Sequence, residues 1–189
     1  MRRLTCLLSV LVDPFHRIID SIMRRTSMET NGGDHKTITH DFPVWREKAN
    51  FILAAHLDDP DVPKKWKWEQ IWARQIQDNV FEICCIPFVT YGLALGDLVG
   101  TEPLNERTFV INKVLEKKGH TTYRIWFLDM DKWKSVTEAV RDLGCSVEIR
   151  WEKSKLIAID APTDEIAKLL NVYVRELEAD GVAKYEIGI

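Results

Sequence analysis

Cysteine at metal-binding spacing is missing from this chain, and so are long apolar runs and clustered bases. The 189 residues include four cysteines, Cys6, Cys84, Cys85 and Cys145, with no Cys-x-x-Cys pair and no His-x-x-x-His. Zinc sites are built from ligands repeated at such short intervals, so no metal is expected. Four scattered cysteines do not make a disulfide framework either, and reduced thiols in a reducing compartment are expected. The longest apolar stretch, Leu4–Val12, is too short to cross a bilayer, so no membrane partner is expected. A Gly-rich phosphate loop, a Gly-x-Ser-x-Gly elbow, a His-Glu-x-x-His helix and a calcium loop are all lacking. No cofactor is therefore expected.

Positive charge is scarce where nucleic acid would need it. The net charge is −3, and residues 1–27 hold five Arg against two Asp, so the rest of the chain carries −6. Phosphate binding needs clustered Lys and Arg. An acidic body instead suits a basic protein partner. The run Lys64–Trp68 (KKWKW) interleaves bases with rings, as single-strand binders do. Three lysines on an acidic body fit a solvated edge strand better, and nucleic acid is not expected as a partner.

What is present is ordinary for a globular protein: 46% apolar and 29% charged residues. The length suits one domain or two small ones. Seven Trp are many for this size, and their indole N–H groups favour seams and contact surfaces. Residues 1–41 read as an N-terminal extension. Met1–Val12 imitates a secretory signal but meets Asp13-Pro14 and then Arg24-Arg25 without a small-residue cleavage site. It could be an amphipathic helix, a targeting segment, or sequence upstream of a natural start at Met28.

Residues 42–118 read as short strands separated by turns: Asn50–Leu57, Trp68–Arg74, Val80–Ile86, Asp97–Val99 and Phe109–Leu115. Asp78-Asn79 marks a hairpin, and five such strands predict a small barrel-like sheet. Residues 119–189 have a clearer pattern. Tyr123, Ile125 and Phe127 alternate with Arg124 and Trp126. A helix is predicted from an Asp131 cap to Leu143, stopped by Gly144. Cys145–Trp151 alternates as a strand, and Lys155–Asp160 is another. Thr163 caps a second helix, with Asp164 and Glu165 in its positive first turn, and a last strand carries Ala183, Tyr185 and Ile187. The order β-α-β-β-α-β is the ferredoxin-like arrangement, with two helices on one face of a four-stranded sheet. The expected fold is therefore α+β, a β-barrel-like part packed with a ferredoxin-like part.

The candidate site residues are Tyr91, Gly92, Gly96 and Asp97 in one turn region, and Gly119, His120, Thr121, Thr122 and Arg124 at a hairpin tip. Asp97 can cap backbone N–H groups in its turn or act as a base. His120, beside two hydroxyls, has the side-chain type suited to acid–base work near neutral pH. Arg124 is expected to pair with Asp160 or Glu148 between the layers. Cys84 and Cys85 lack an evident activating base and read as structural.

Several of these motifs together resemble a known bacterial family. Trp72-Ala-Arg74, the run Ile86–Gly92 (IPFVTYG) with Gly96-Asp97, and Gly119–Arg124 (GHTTYR) are similar to domain-of-unknown-function family 4265, over roughly residues 48–189. That family's pattern has Ser where Lys118 stands here. The resemblance implies a cytoplasmic bacterial protein and no established activity. The expected function is a non-enzymatic binding protein, in concrete form an immunity-type protein that blocks a cognate toxin, as a monomer or homodimer. The alternatives are a small enzyme using Asp97 and His120 in a cleft between the two parts, and a small-ligand-sensing module.

Overall fold

The structure is a computed structural model that describes residues 36–57, 66–150 and 154–188. The readings for residues 1–27, for the Asp58–Pro63 loop and for Trp151 lie outside the described residues. The fold is α+β, with two sheets and two α-helices.

The first sheet holds β1 (Lys36–Ile38), β2 (Phe51–His56), β3 (Trp66–Gln77), β4 (Val80–Ile83), β5 (Leu98–Asn105) and β6 (Thr108–Glu116), in the order β1-β3-β2-β6-β5-β4. β4 also pairs with β3, so β2 to β6 close into a ring. Asn79, at φ 57°, makes the β3–β4 hairpin, as an Asn tolerates in a tight turn. β5 and β6 are longer than the sequence pattern implied, because polar residues 102–108 continue both strands to a tip at Glu106-Arg107. Leu53, Ile71, Ala73, Phe81, Ile83, Cys85, Leu93 and Val99 fill the ring.

Residues before 42 also take part in the first sheet. β1 pairs in parallel with β3, and Ile38 and His40 are buried. Within the run Lys64–Trp68, the stretch Trp66–Trp68 is not a solvated edge, and Lys64 and Lys65 lie outside the described residues. β3 lies between β1, β2 and β4, and Trp66 is part of the core between the sheets.

The second sheet holds β7 (Thr121–Phe127), β8 (Ser146–Ile149), β9 (Leu156–Ala161) and β10 (Ala183–Ile187), in the order β10-β7-β9-β8, all antiparallel. α1 (Trp133–Asp142) and α2 (Asp164–Ala179) cover one face. Thr163 caps α2 by accepting the Ile166 N–H, as expected. The first helix starts differently. Asp129, not Asp131, accepts a backbone N–H, and a 3₁₀ turn over Met130–Lys132 precedes α1.

Both faces of this sheet are covered, so β9 is buried along its whole length. Ile157, Ile159 and Ala161 face the helices, while Leu156 and Ala158 face the first sheet. Trp126 joins Leu156 and Ala158 against Ile38, Trp66, Ile86, Phe88 and Val89. The layers are therefore helices, second sheet, then the ringed first sheet. The irregular segment 84–97, between β4 and β5, lies at the seam between the two sheets.

Candidate functional site

Segment 86–90 has no ladder to satisfy its backbone. A buried amide without a partner is costly, so its N–H groups must be met by side chains. Two carboxylates do this from opposite sides. Glu69, on β3, accepts from the N–H groups of Phe88, Val89 and Thr90 and from the Thr90 hydroxyl. Glu148, on β8, accepts from Ile86 N–H at 2.8 Å and Val44 N–H at 2.9 Å. Both glutamates are buried.

His40 lies between them. Its Nδ1 is 2.6 Å from Glu148 and its Nε2 is 3.0 Å from Glu69. Its ring stacks on Phe88 with centroids 4.4 Å apart. Burial works against the imidazolium, but Cys85 and the hydrogen bonds to Glu148 and Glu69 outweigh it and raise His40 well above its ordinary value. With both nitrogens donating, the charged ring bridges two anions. Burial works against ionisation of Glu69 in turn, and the His40 and Thr90 contacts hold it down at about 2. Removing two carboxylates from water costs several kcal/mol each. Charge-assisted hydrogen bonds, each worth about 1.5–3 kcal/mol, offset that cost.

Arg124 grips the carbonyl side of the same segment. It donates to Pro87 O and Thr90 O and to Glu186 at 2.8 Å. The expected pairing with Asp160 or Glu148 is replaced by Glu186, which lies beside Arg124 across the β7–β10 ladder. The guanidinium also stacks under Tyr91, 4.6 Å from the ring centroid. The Tyr91 hydroxyl donates to Glu186 at 2.7 Å, yet Tyr91 remains exposed.

Asp97 is fully buried. One oxygen accepts from Ala94 N–H and from Lys117 Nζ, and the other accepts from Lys118 N–H. It ties the Gly92–Gly96 turn to the end of β6, which is the capping role expected of Asp in a turn. His120 does not contact Asp97. Its Nδ1 lies 2.9 and 3.0 Å from the two oxygens of Asp160, and its Nε2 has no hydrogen-bond partner among the described residues. The Trp45 and His120 rings meet at right angles, with centroids 6.0 Å apart. Burial lifts Asp160 to about 6; Asp97 and Glu148 add to the rise and His120 opposes it.

Hydrogen bonds link the two candidate stretches. Gly92 N–H donates to Gly188 O, Gly188 N–H donates to Thr122 O, and the Thr122 hydroxyl donates to Leu93 O. Lys117 bridges Gly92 O and Asp97. Tyr91 and Gly119 are exposed, Gly92, His120 and Thr121 are half-buried, and Gly96, Asp97, Thr122 and Arg124 are buried. The three described cysteines are structural by environment. Burial raises Cys84 and Cys145 to about 11 and also raises Cys85, so each is a protonated, poor nucleophile at neutral pH. Among the described residues no three His, Cys, Asp or Glu side chains are grouped to hold a metal ion. No helix among them is long and apolar enough to cross a membrane.

The segment that the two glutamates and Arg124 hold lies inside a match to a family model covering residues 69–185, described as domain of unknown function DUF4265. The chain belongs to the DUF4265 family. A crystal structure of a hypothetical protein from Neisseria gonorrhoeae is similar to it, at 19% identity and a TM-score of 0.62. That match covers 71% of this chain and 91% of the other, and it shows a shared fold alone. No curated protein matches the chain. In this DUF4265 chain, sequence reasoning missed the clamp made by His40, Glu69 and Glu148. Its one visible signal was Glu69, which alternates with Ile71 and Ala73 on the apolar face of β3.

Proposed function

We propose that this DUF4265 chain is a binding protein whose contact surface is the cluster of Tyr91, Gly92, Gly119, His120 and Thr121. The observation that carries this reading is the clamp on segment 86–90 by charged groups of both sheets. A loop already fixed loses little conformational freedom on binding. The exposed Tyr91 at its end is the aromatic type that anchors interfaces. In concrete form we read it as an immunity-type protein of the bacterial cytoplasm that blocks a toxin, acting as a monomer or homodimer. We also read β2–β6 as a barrel-like unit, because the strand pairing closes. We read β7–β10 with their helices as a ferredoxin-like unit, because of the order β10-β7-β9-β8.

The test is affinity capture on the full chain with mass spectrometry, comparing it with a Tyr91→Ala/Lys118→Glu double variant. Both residues are exposed, but Tyr91 donates to Glu186 and Lys118 pairs with Glu116, so the thermal midpoints of parent and variant are compared to establish that both are folded. The binding reading expects a protein captured by the parent chain and lost from the variant. Equal recovery by both overturns this surface.

A second reading, a small enzyme, is favoured by one specific observation: the half-buried His120 is hydrogen-bonded to a buried carboxylate. The carboxylate in that reading is Asp160. Asp97 has both oxygens occupied.

A further inference from the structure

β10 is an edge of the second sheet, since among the described residues it pairs with β7 alone. The ladder fixes where its backbone groups point. Gly188 N–H donates to Thr122 O and Leu128 N–H donates to Val182 O, so the even-numbered residues of this strand bond to β7. In an antiparallel pair such residues alternate with ones whose N–H and C=O groups point the other way. Ala183, Tyr185 and Ile187 therefore carry these groups on the outer side, where no described residue bonds to them. An open edge of this kind is a template for another strand unless its side chains repel one. The side chains here are mixed in sign. Lys184 and Glu186 lie across from Trp126 and Arg124, on the face turned to the first sheet, and Tyr185 between them packs with the helix-side core.

We propose that the outer edge of β10 binds β10 of a second copy of this chain, antiparallel and centred on Tyr185. The outward groups allow a two-fold pair to be centred on Lys184, Tyr185 or Glu186. Centring on Lys184 sets the two lysines face to face, and centring on Glu186 does the same with the glutamates. Like charges directly opposite destabilise a pair of strands. Centred on Tyr185, each Lys184 meets Glu186 of the second copy, and Ala183, Tyr185 and Ile187 all exchange backbone hydrogen bonds. Lys184 and Glu186 then occupy the non-hydrogen-bonded positions, where cross-strand side chains approach most closely. Glu186 already accepts from Arg124 and Tyr91, and Lys184 pairs with Glu178 at 3.1 Å. A carboxylate has further lone pairs and an ammonium further donors, so both can add a partner. The dimer joins two four-stranded sheets into one. Within the binding reading this takes the homodimer over the monomer. It does not rest on the Tyr91 surface, because it is measured on the purified chain alone and stands even if no protein is captured.

The experiment is sedimentation equilibrium of the purified full chain from about 1 to about 200 μM, because the dimer population follows protein concentration. Amide exchange, read residue by residue by mass spectrometry, is followed at both ends of the range. The parent chain is expected to form a dimer. Its Tyr185 and Ile187 amides should exchange fast in the monomer and slowly in the dimer, while those of Lys184 and Glu186, bonded to β7, stay slow in both. Lys184→Glu puts like charges at both crossings and is expected to raise the dissociation constant about tenfold or more. Circular dichroism checks that the variant is folded; if it is not, the exchange pattern of the parent chain decides. A parent chain that stays monomeric over the whole range overturns the proposal. So does a dimer whose Tyr185 and Ile187 amides remain fast, or one equally tight in folded Lys184→Glu.

Discussion

Glu69 has almost no water around it and five hydrogen-bond donors on it, four from segment 88–90 and one from His40. Glu69→Gln keeps the shape but leaves the His40 cation with one anion fewer and puts an amide NH₂ where an acceptor is needed. Breaking a buried pair costs about 3–5 kcal/mol, and urea unfolding should show a loss of that size. The pH profile follows from two opposite shifts. His40 is raised in the native state, so its contribution is complete below about pH 6.5 and is lost as pH rises through the elevated native value. Glu69 is lowered from 4.5 to about 2, so its contribution is present above 4.5 and is lost as pH falls through about 2. Urea midpoints should decline at both ends, and Glu69→Gln should remove part of the acid limb. A flat profile would mean that the clamp is not ionic. None of this was legible in the sequence, because His40 lies 29 residues from Glu69 and 108 from Glu148. A lone histidine carries no sign of which carboxylates will surround it.

At the scale of elements, local signals worked where periodicity was strong. The alternation in β7 and the Thr163 cap of α2 were readable from neighbouring residues alone. Segment 84–90 was not: the apolar pattern ran the strand on to Ile86, but β4 ends at Ile83 and the N–H groups of Ile86, Phe88, Val89 and Thr90 bond to carboxylates from distant strands instead of a ladder. The edge assignment for Trp66 failed likewise, since β1 adds beside β3 from residues that looked like a polar tail. Of the candidate site, the two glycine turns and His120 were visible, while Asp160 and Trp45 become partners only through folding. Gly92 (φ 72°) and Gly96 (φ 82°) have left-handed backbones. Alanine at either should cost about 1–2 kcal/mol in backbone strain, measured as a shift in thermal or urea midpoint. The two differ in their surroundings, because nothing lies near a Cβ added at Gly92 while one at Gly96 would touch Trp45, Lys118 and His120.

For the whole molecule, the seam joins two sheets that could otherwise be separate units. Trp126, Leu156 and Ala158 of one meet Trp66, Ile86 and Phe88 of the other, and the Glu69–His40–Glu148 bridge crosses the same plane. Apolar burial of this kind stabilises by about 25 cal/mol per Å². The sheets should unfold together, with tryptophan fluorescence and far-ultraviolet circular dichroism giving coincident urea curves. Two separated transitions would mean that the seam is weak. The central claim is that segment 86–90 is fixed by side chains of both sheets, and amide hydrogen exchange tests it most directly. The Phe88, Val89 and Thr90 amides should exchange as slowly as those of β7 and β9 in the parent chain, and much faster in Glu69→Gln. Exchange in the parent chain as fast as at the exposed Glu106-Arg107 tip would contradict the account.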